Sequence, residues 1–124
     1  MQGRTYLRTH TLKSEQLLID LGEAAARLRD QADGQDRRSV TLVRESGLSV
    51  VLLHLRAGTA LDEHAAPGAI TIQVIAGHAR AHGDGDTIEL PTGSLVAFDA
   101  QVRHSVEAIE DSAILITLAD PKAP

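Results

Sequence analysis

Residues 58–77 read GTALDEHAAPGAITIQVIAG. Two short runs, 60–65 and 69–76, flank Pro67-Gly68, a pair that marks a turn. Side chains alternate across a strand, so Asp62, His64 and Ala66 fall on one face of the first run. Ile70, Ile72 and Val74 share a face of the second. The stretch is therefore two strands, with a single histidine placed among small and aliphatic side chains.

The same pattern continues in both directions. Strands are expected near 39–44, 48–56, 60–65, 69–76, 78–82, 87–90, 94–98, 102–108 and 112–118, between turn signals such as Ser46-Gly47, Ala57-Gly58, Ala76-Gly77 and Pro91-Thr92-Gly93. Gly83-Asp84-Gly85-Asp86 is a strong hairpin turn, because glycine tolerates positive φ. As a calcium loop it lacks the further oxygen ligands such loops supply. Many short, evenly spaced strands argue for a closed barrel or a double-sheet jelly roll. Residues 14–31 (SEQLLIDLGEAAARLRDQ) read as the one good helix, with Leu17, Leu21, Ala24 or Ala25, and Leu28 at helical spacing, Ser14 as N-cap and Gly34 as stop.

Composition narrows the function classes. A chain of 124 residues with 43% hydrophobic content suits one domain with a modest core. The net charge of −5 and the absence of a basic block disfavour nucleic acid, and one Phe, one Tyr and no Trp leave few platforms for base stacking. No run is long enough to span a bilayer, so no membrane partner is expected. The N-terminus has no apolar segment of the secretory kind, and with no cysteine there is neither a disulfide framework nor a thiolate metal site. The cytoplasm is the expected location.

Two stretches, GTALDEHAAPGAITIQVIAG (58–77) and GDTIELPTGSLVAFDAQVRHSVEA (85–108), resemble the two signature motifs of the cupin superfamily. Gly58, His64 and Gly77 match the first motif, and Gly93 and His104 match the second. The first motif's second histidine falls on Ala66 and its glutamate on Ile70. The second motif's proline, glycine and asparagine fall on Asp99, Gln101 and Ala108. The resemblance spans roughly residues 38–118. It implies an all-β chain, a small cupin-type β-barrel (double-stranded β-helix, or jelly roll) with an N-terminal helix. It also implies a homodimer, since cupin-like proteins commonly pair their sheets. The implied organisation is an N-terminal extension over 1–37, a barrel over 38–120 and a tail over 121–124.

In metal-bearing cupins, three histidines and a glutamate hold the ion. Here that role carries over only to His64 and His104. Three readings of the pair stand side by side. The histidines could bind a divalent transition metal (Zn, Ni, Fe or Mn) with water or substrate completing the shell, although catalytic zinc sites usually keep three protein ligands. They could be polar anchors of a metal-free small-molecule pocket, with Asp62, Ala66, Ile70 and Ile72 around them. They could be core histidines bonded to backbone or buried water. The corresponding functions are a small-molecule-binding module and a metal-dependent isomerase, lyase or dioxygenase. A largely apolar ligand with one polar end suits the aliphatic lining better than a sugar, which would need aromatic rings to stack on.

The remaining histidines carry less. His54, His78 and His82 fall on outer faces and read, with Arg80, as a solvated stripe, and His10 likewise marks no site. Asp62 and Glu63 point to opposite faces, so only Asp62 could join a pocket. On 48–56, Val51, Leu53 and Leu55 share one face, while Val50, Leu52 and His54 share the other. Apolar residues on both faces require cover on both, from the helix or from a second subunit.

Overall fold

The computed structural model describes residues 7–12, 16–64 and 66–120, with the backbone only at Glu63 and His64. One helix, α1 (Leu21–Gln31), precedes nine strands: β1 (Arg37–Glu45), β2 (Leu48–Leu55), β3 (Ala60–His64), β4 (Ile70–Ala76), β5 (His78–Gly83), β6 (Asp86–Pro91), β7 (Leu95–Phe98), β8 (His104–Ala108) and β9 (Ser112–Ala119). Each expected strand is present. All pairings between named strands are antiparallel. They build a five-stranded sheet, β1-β2-β9-β4-β7, and a four-stranded sheet, β3-β8-β5-β6. The chain crosses repeatedly between the two, so strands distant in sequence become neighbours, as in a double-sheet jelly roll. β5 and β6 form the expected hairpin. Gly83 pairs with Asp86, and the two loop residues Asp84 (φ 52) and Gly85 (φ 79) both take the positive φ of a type I′ turn.

Strict alternation builds the core between the sheets. Ile70, Ile72 and Val74 of β4 are buried, while Thr71, Gln73 and Ile75 between them are partly exposed. On β5, Ala79 and Ala81 point in, and His78, Arg80 and His82 point out. Leu53, Leu55, Leu90, Phe98, Val106 and Ile114 complete the inner cluster.

β2 breaks the rule that one face is wet: Leu52, Leu53, His54 and Leu55 are all buried. The outer face is covered from within the chain. Ala24 and Leu28 of α1 pack on Leu42 and Leu52, with Ile19, Leu21, Val40 and Leu115 around them. The segment before the helix assists: the His10 N–H donates to the Leu42 carbonyl at 2.9 Å, and the Arg44 N–H donates to the His10 carbonyl at 3.0 Å. His10 is accordingly buried.

Two expectations are corrected here. The helix starts at Leu21 rather than near residue 14, and Leu17 lies ahead of it. The Asp20 carboxylate accepts the Glu23 N–H at 3.0 Å and so caps the helix, a role aspartate fills better than an interior helical position. Ser14, the expected cap, lies outside the described residues. The second correction is His54, which is no part of a solvated stripe. The helix lies over its face of the sheet, and the residue is only 7% exposed.

Leu28, 1% exposed, carries much of this docking. Leu28→Ala is expected to cost about 2–4 kcal/mol by urea unfolding, since it empties a packed site between helix and sheet. A loss under about 1 kcal/mol would show that the helix adds little to stability.

Candidate ligand pocket

His104 opens β8. Its ladder neighbours are His64 on β3 and Gly83 on β5. His104, Val106 and Ala108 all turn inward, and His104 is 1% exposed. Two contacts with described residues help fix its ring. Nδ1 lies 3.0 Å from the Val102 carbonyl oxygen, so Nδ1–H donates, and in the neutral ring Nε2 is left as the acceptor nitrogen. The ring also stacks on Phe98, with centroids 5.0 Å apart and planes 8° from parallel. Phe98 fits because residue 83 is glycine: a Cβ there would lie 2.3 Å and 2.9 Å from two Phe98 ring carbons.

Beside the imidazole is a cavity of about 170 Å³. Its walls are Val51 of β2, Leu61 of β3, Ile70 and Ile72 of β4, Val106 of β8, and Ile116 and Leu118 of β9. Apart from His104, the described wall residues are aliphatic. A larger concavity, about 680 Å³, runs between residues 82–87 and residues 101–103. It is a groove along a polar hairpin with Val102 as its one described aliphatic wall residue, and the smaller, more apolar space is the better ligand pocket.

The expected site residues divide. His104, Ile70 and Ile72 line the cavity together. The backbone of His64 lies opposite His104, while its side chain is outside the described part of the structure. Ala66 is buried, yet it is not among the wall residues. Its carbonyl accepts the Gln101 N–H at 2.9 Å and ties the loop after β3 to the loop before β8. Asp62 is exposed and does not line the cavity. The register of β3 against β8 slips between Leu61 and His64, and that irregularity breaks the alternation that would have put Asp62 beside His64. Leu61 lines the cavity instead.

Three parts of the site had no signal of their own in the sequence: the Phe98 stack, the Gly83 clearance and the Val102 carbonyl. The chain's single Phe, lying six residues before His104, was the one available hint. Gln101 stands where the family motif has glycine, and it keeps the left-handed backbone that glycine would favour, with φ 69.

The donor set does not fit the family's metal centre. Ala66 and Ile70 occupy the positions of a histidine and the glutamate, and among the described residues no group of three or more His, Asp or Glu side chains could hold an ion. The outward face of β5 is a polar ladder instead. Glu89 takes His78 Nε2 at 2.9 Å and also Arg80, while Glu107 takes Arg80 at 3.5 Å and His82 Nε2 at 3.2 Å. Hydrogen bonds from Arg80, then His78, hold the Glu89 carboxyl below its ordinary range. Any stability this adds is complete above the ordinary carboxylate pKa and is lost as pH falls through the lowered value. Pairs this exposed add little.

The cupin-domain family model matches residues 51–119, and the chain belongs to that family. Among solved structures it is similar to a protein of unknown function from Streptococcus pyogenes, at 27% identity over 72% of this chain and 79% of that one, with a TM-score of 0.67. It is also similar to an RmlC-like cupin from Desulfovibrio desulfuricans, at 26% identity over 75% and 87%, with a TM-score of 0.64. A salicylate 1,2-dioxygenase from Pseudoaminobacter salicylatoxidans shares the fold, at 19% identity and a TM-score of 0.67, over 80% of this chain and 31% of the dioxygenase. No curated protein matches the sequence.

Gly83→Ala is expected to drive its new methyl into Phe98 and displace the ring that supports His104. The expected cost is about 1–3 kcal/mol, with a shift of the His104 ring signals in NMR spectra. Unchanged His104 signals would separate the stack from the glycine.

Proposed function

We propose that this cupin binds a small, largely apolar molecule carrying one polar group, and holds it without turnover. One observation carries the reading: a 170 Å³ aliphatic cavity lies against one imidazole whose ring is fixed by the Val102 carbonyl and the Phe98 stack. The ligand's polar end meets His104, and its body fills the space between Ile70, Ile72, Ile116 and Leu118. Among the described wall residues His104 is the sole titratable group. Acid–base chemistry normally needs a second group to return the proton.

Cyclohexanol has the required shape and one hydroxyl. It is expected to raise the melting temperature of the wild type, because a ligand that binds only the native state must stabilise it. His104→Leu is expected to weaken that binding about tenfold, the worth of one hydrogen bond. Equal binding by the two proteins would remove His104 from the site. Stoichiometric metal in untagged protein, lost in both His64→Ala and His104→Ala, would sink the metal-free reading in favour of a metal-dependent cupin enzyme with a reduced site.

We further propose a homodimer, as the family resemblance implies. Strand β7 lies at an edge of the five-stranded sheet, and its Leu95 is 56% exposed. Light scattering is expected to return the mass of two chains, reduced to one by Leu95→Lys. A wild-type monomer would overturn the proposal.

A further inference from the structure

The helix that covers β2 does not close completely over it. Between α1 and the outer face of the five-stranded sheet lies a second cavity, of about 230 Å³. It is separate from the inner pocket, and no wall residue is shared between the two. The helix contributes Gly22, Ala25 and Ala26, whose small side chains leave the space unfilled, and Arg29 from its last turn. The sheet contributes Ile75, Ala113 and His54.

His54 is the informative residue. It is 93% buried, yet among the described residues it has no hydrogen-bond or ion-pair partner. A buried imidazole ordinarily finds one. No fully sealed side-chain nitrogen or oxygen among the described residues lacks a partner, so the His54 ring nitrogens are not fully sealed, and His54 lines the cavity. Arg29 lines the same cavity, and no described carboxylate pairs with it. The other polar wall groups are engaged. The Ser112 hydroxyl is taken up by the His78 backbone and the Glu110 carbonyl. The Asp111 carboxylate accepts the Ala57 N–H at 2.8 Å.

We propose that this outer cavity is a second binding site, for a short-chain monocarboxylic acid. The carboxylate pairs with the planar fork of Arg29, whose geometry matches it. His54 donates a hydrogen bond to the same group from the buried side. The short apolar tail lies against Ala25, Ile75 and Ala113. Asp111 on the rim offsets the charge of Arg29, so a monoanion leaves one net negative charge in the cavity, whereas a phosphate dianion would leave two and is disfavoured. At roughly 30 Å³ per water molecule, the cavity has room for about eight waters, and so for a small acid. The inference is independent of what occupies the inner pocket.

The test is a titration of the full-length, isotope-labelled chain with sodium butyrate, following the ring signals of His54 and His104 by NMR. His54 is expected to shift and saturate in the millimolar range, with His104 unmoved. Arg29→Gln, an exposed change that leaves the fold intact, is expected to weaken the response about tenfold, and butylamine to give none. A His54 signal that stays still, or that shifts equally with butylamine or in Arg29→Gln, overturns the proposal. A response at His104 alone overturns it too, because the acid would then be in the inner pocket.

Discussion

Burial of both faces of β2 is the constraint on which the rest of this structure depends. Leu53 and Leu55 must face the interior of the jelly roll, and Leu52 and His54 must face something else. A strand that is apolar on both sides cannot border water, so the five-stranded sheet needs an outer layer. The chain supplies it with α1 and with the bridge from His10 to Val43. Both cavities are consequences of this arrangement. The inner one lies where Val51 and the β4 and β9 aliphatics do not quite fill the barrel, and the outer one lies where a helix rich in Ala and Gly covers His54 incompletely.

The strands were legible because period-two alternation and the glycine turns agree: Ile70-Ile72-Val74 and Ala79-Ala81 alternate in burial as the pattern requires. The helix was half legible. Its apolar spacing located Leu28 correctly, but the same spacing ran back to Leu17 across Asp20, whose side chain caps the helix. Periodicity does not register a cap when apolar residues continue on both sides of it. His54 was misplaced for a related reason. Alternation assigns a face correctly but says nothing about what covers that face. Asp62 was misplaced because alternation fails across a register slip, and the sequence around Leu61 has no glycine or proline to announce one.

The candidate pocket was legible at the level of the motif and opaque at the level of support. The positions of Ile70 and His104 followed from the cupin register. The stack of His104 on Phe98 did not, because it depends on Gly83, brought alongside His104 by strand pairing. That contact explains how a degenerate motif can keep an ordered histidine. In a metal-bearing cupin the ion orients its ligands. Here the Val102 carbonyl and the Phe98 ring hold the imidazole, and neither requires an ion.

The same logic explains what Ala66 and Ile70 do to the pocket. A glutamate at position 70 would bring a charge into the barrel, and a buried charge is tolerable only when paired or bound to a metal. Isoleucine removes that demand and adds apolar surface, worth about 25 cal/mol for each Å² buried. Ala66 loses a side-chain role and keeps a backbone one, holding Gln101 through its carbonyl. The two substitutions act in the same direction. Both remove charge or polarity that a metal would have compensated, and among the described wall residues they leave His104 as the polar group in an aliphatic lining.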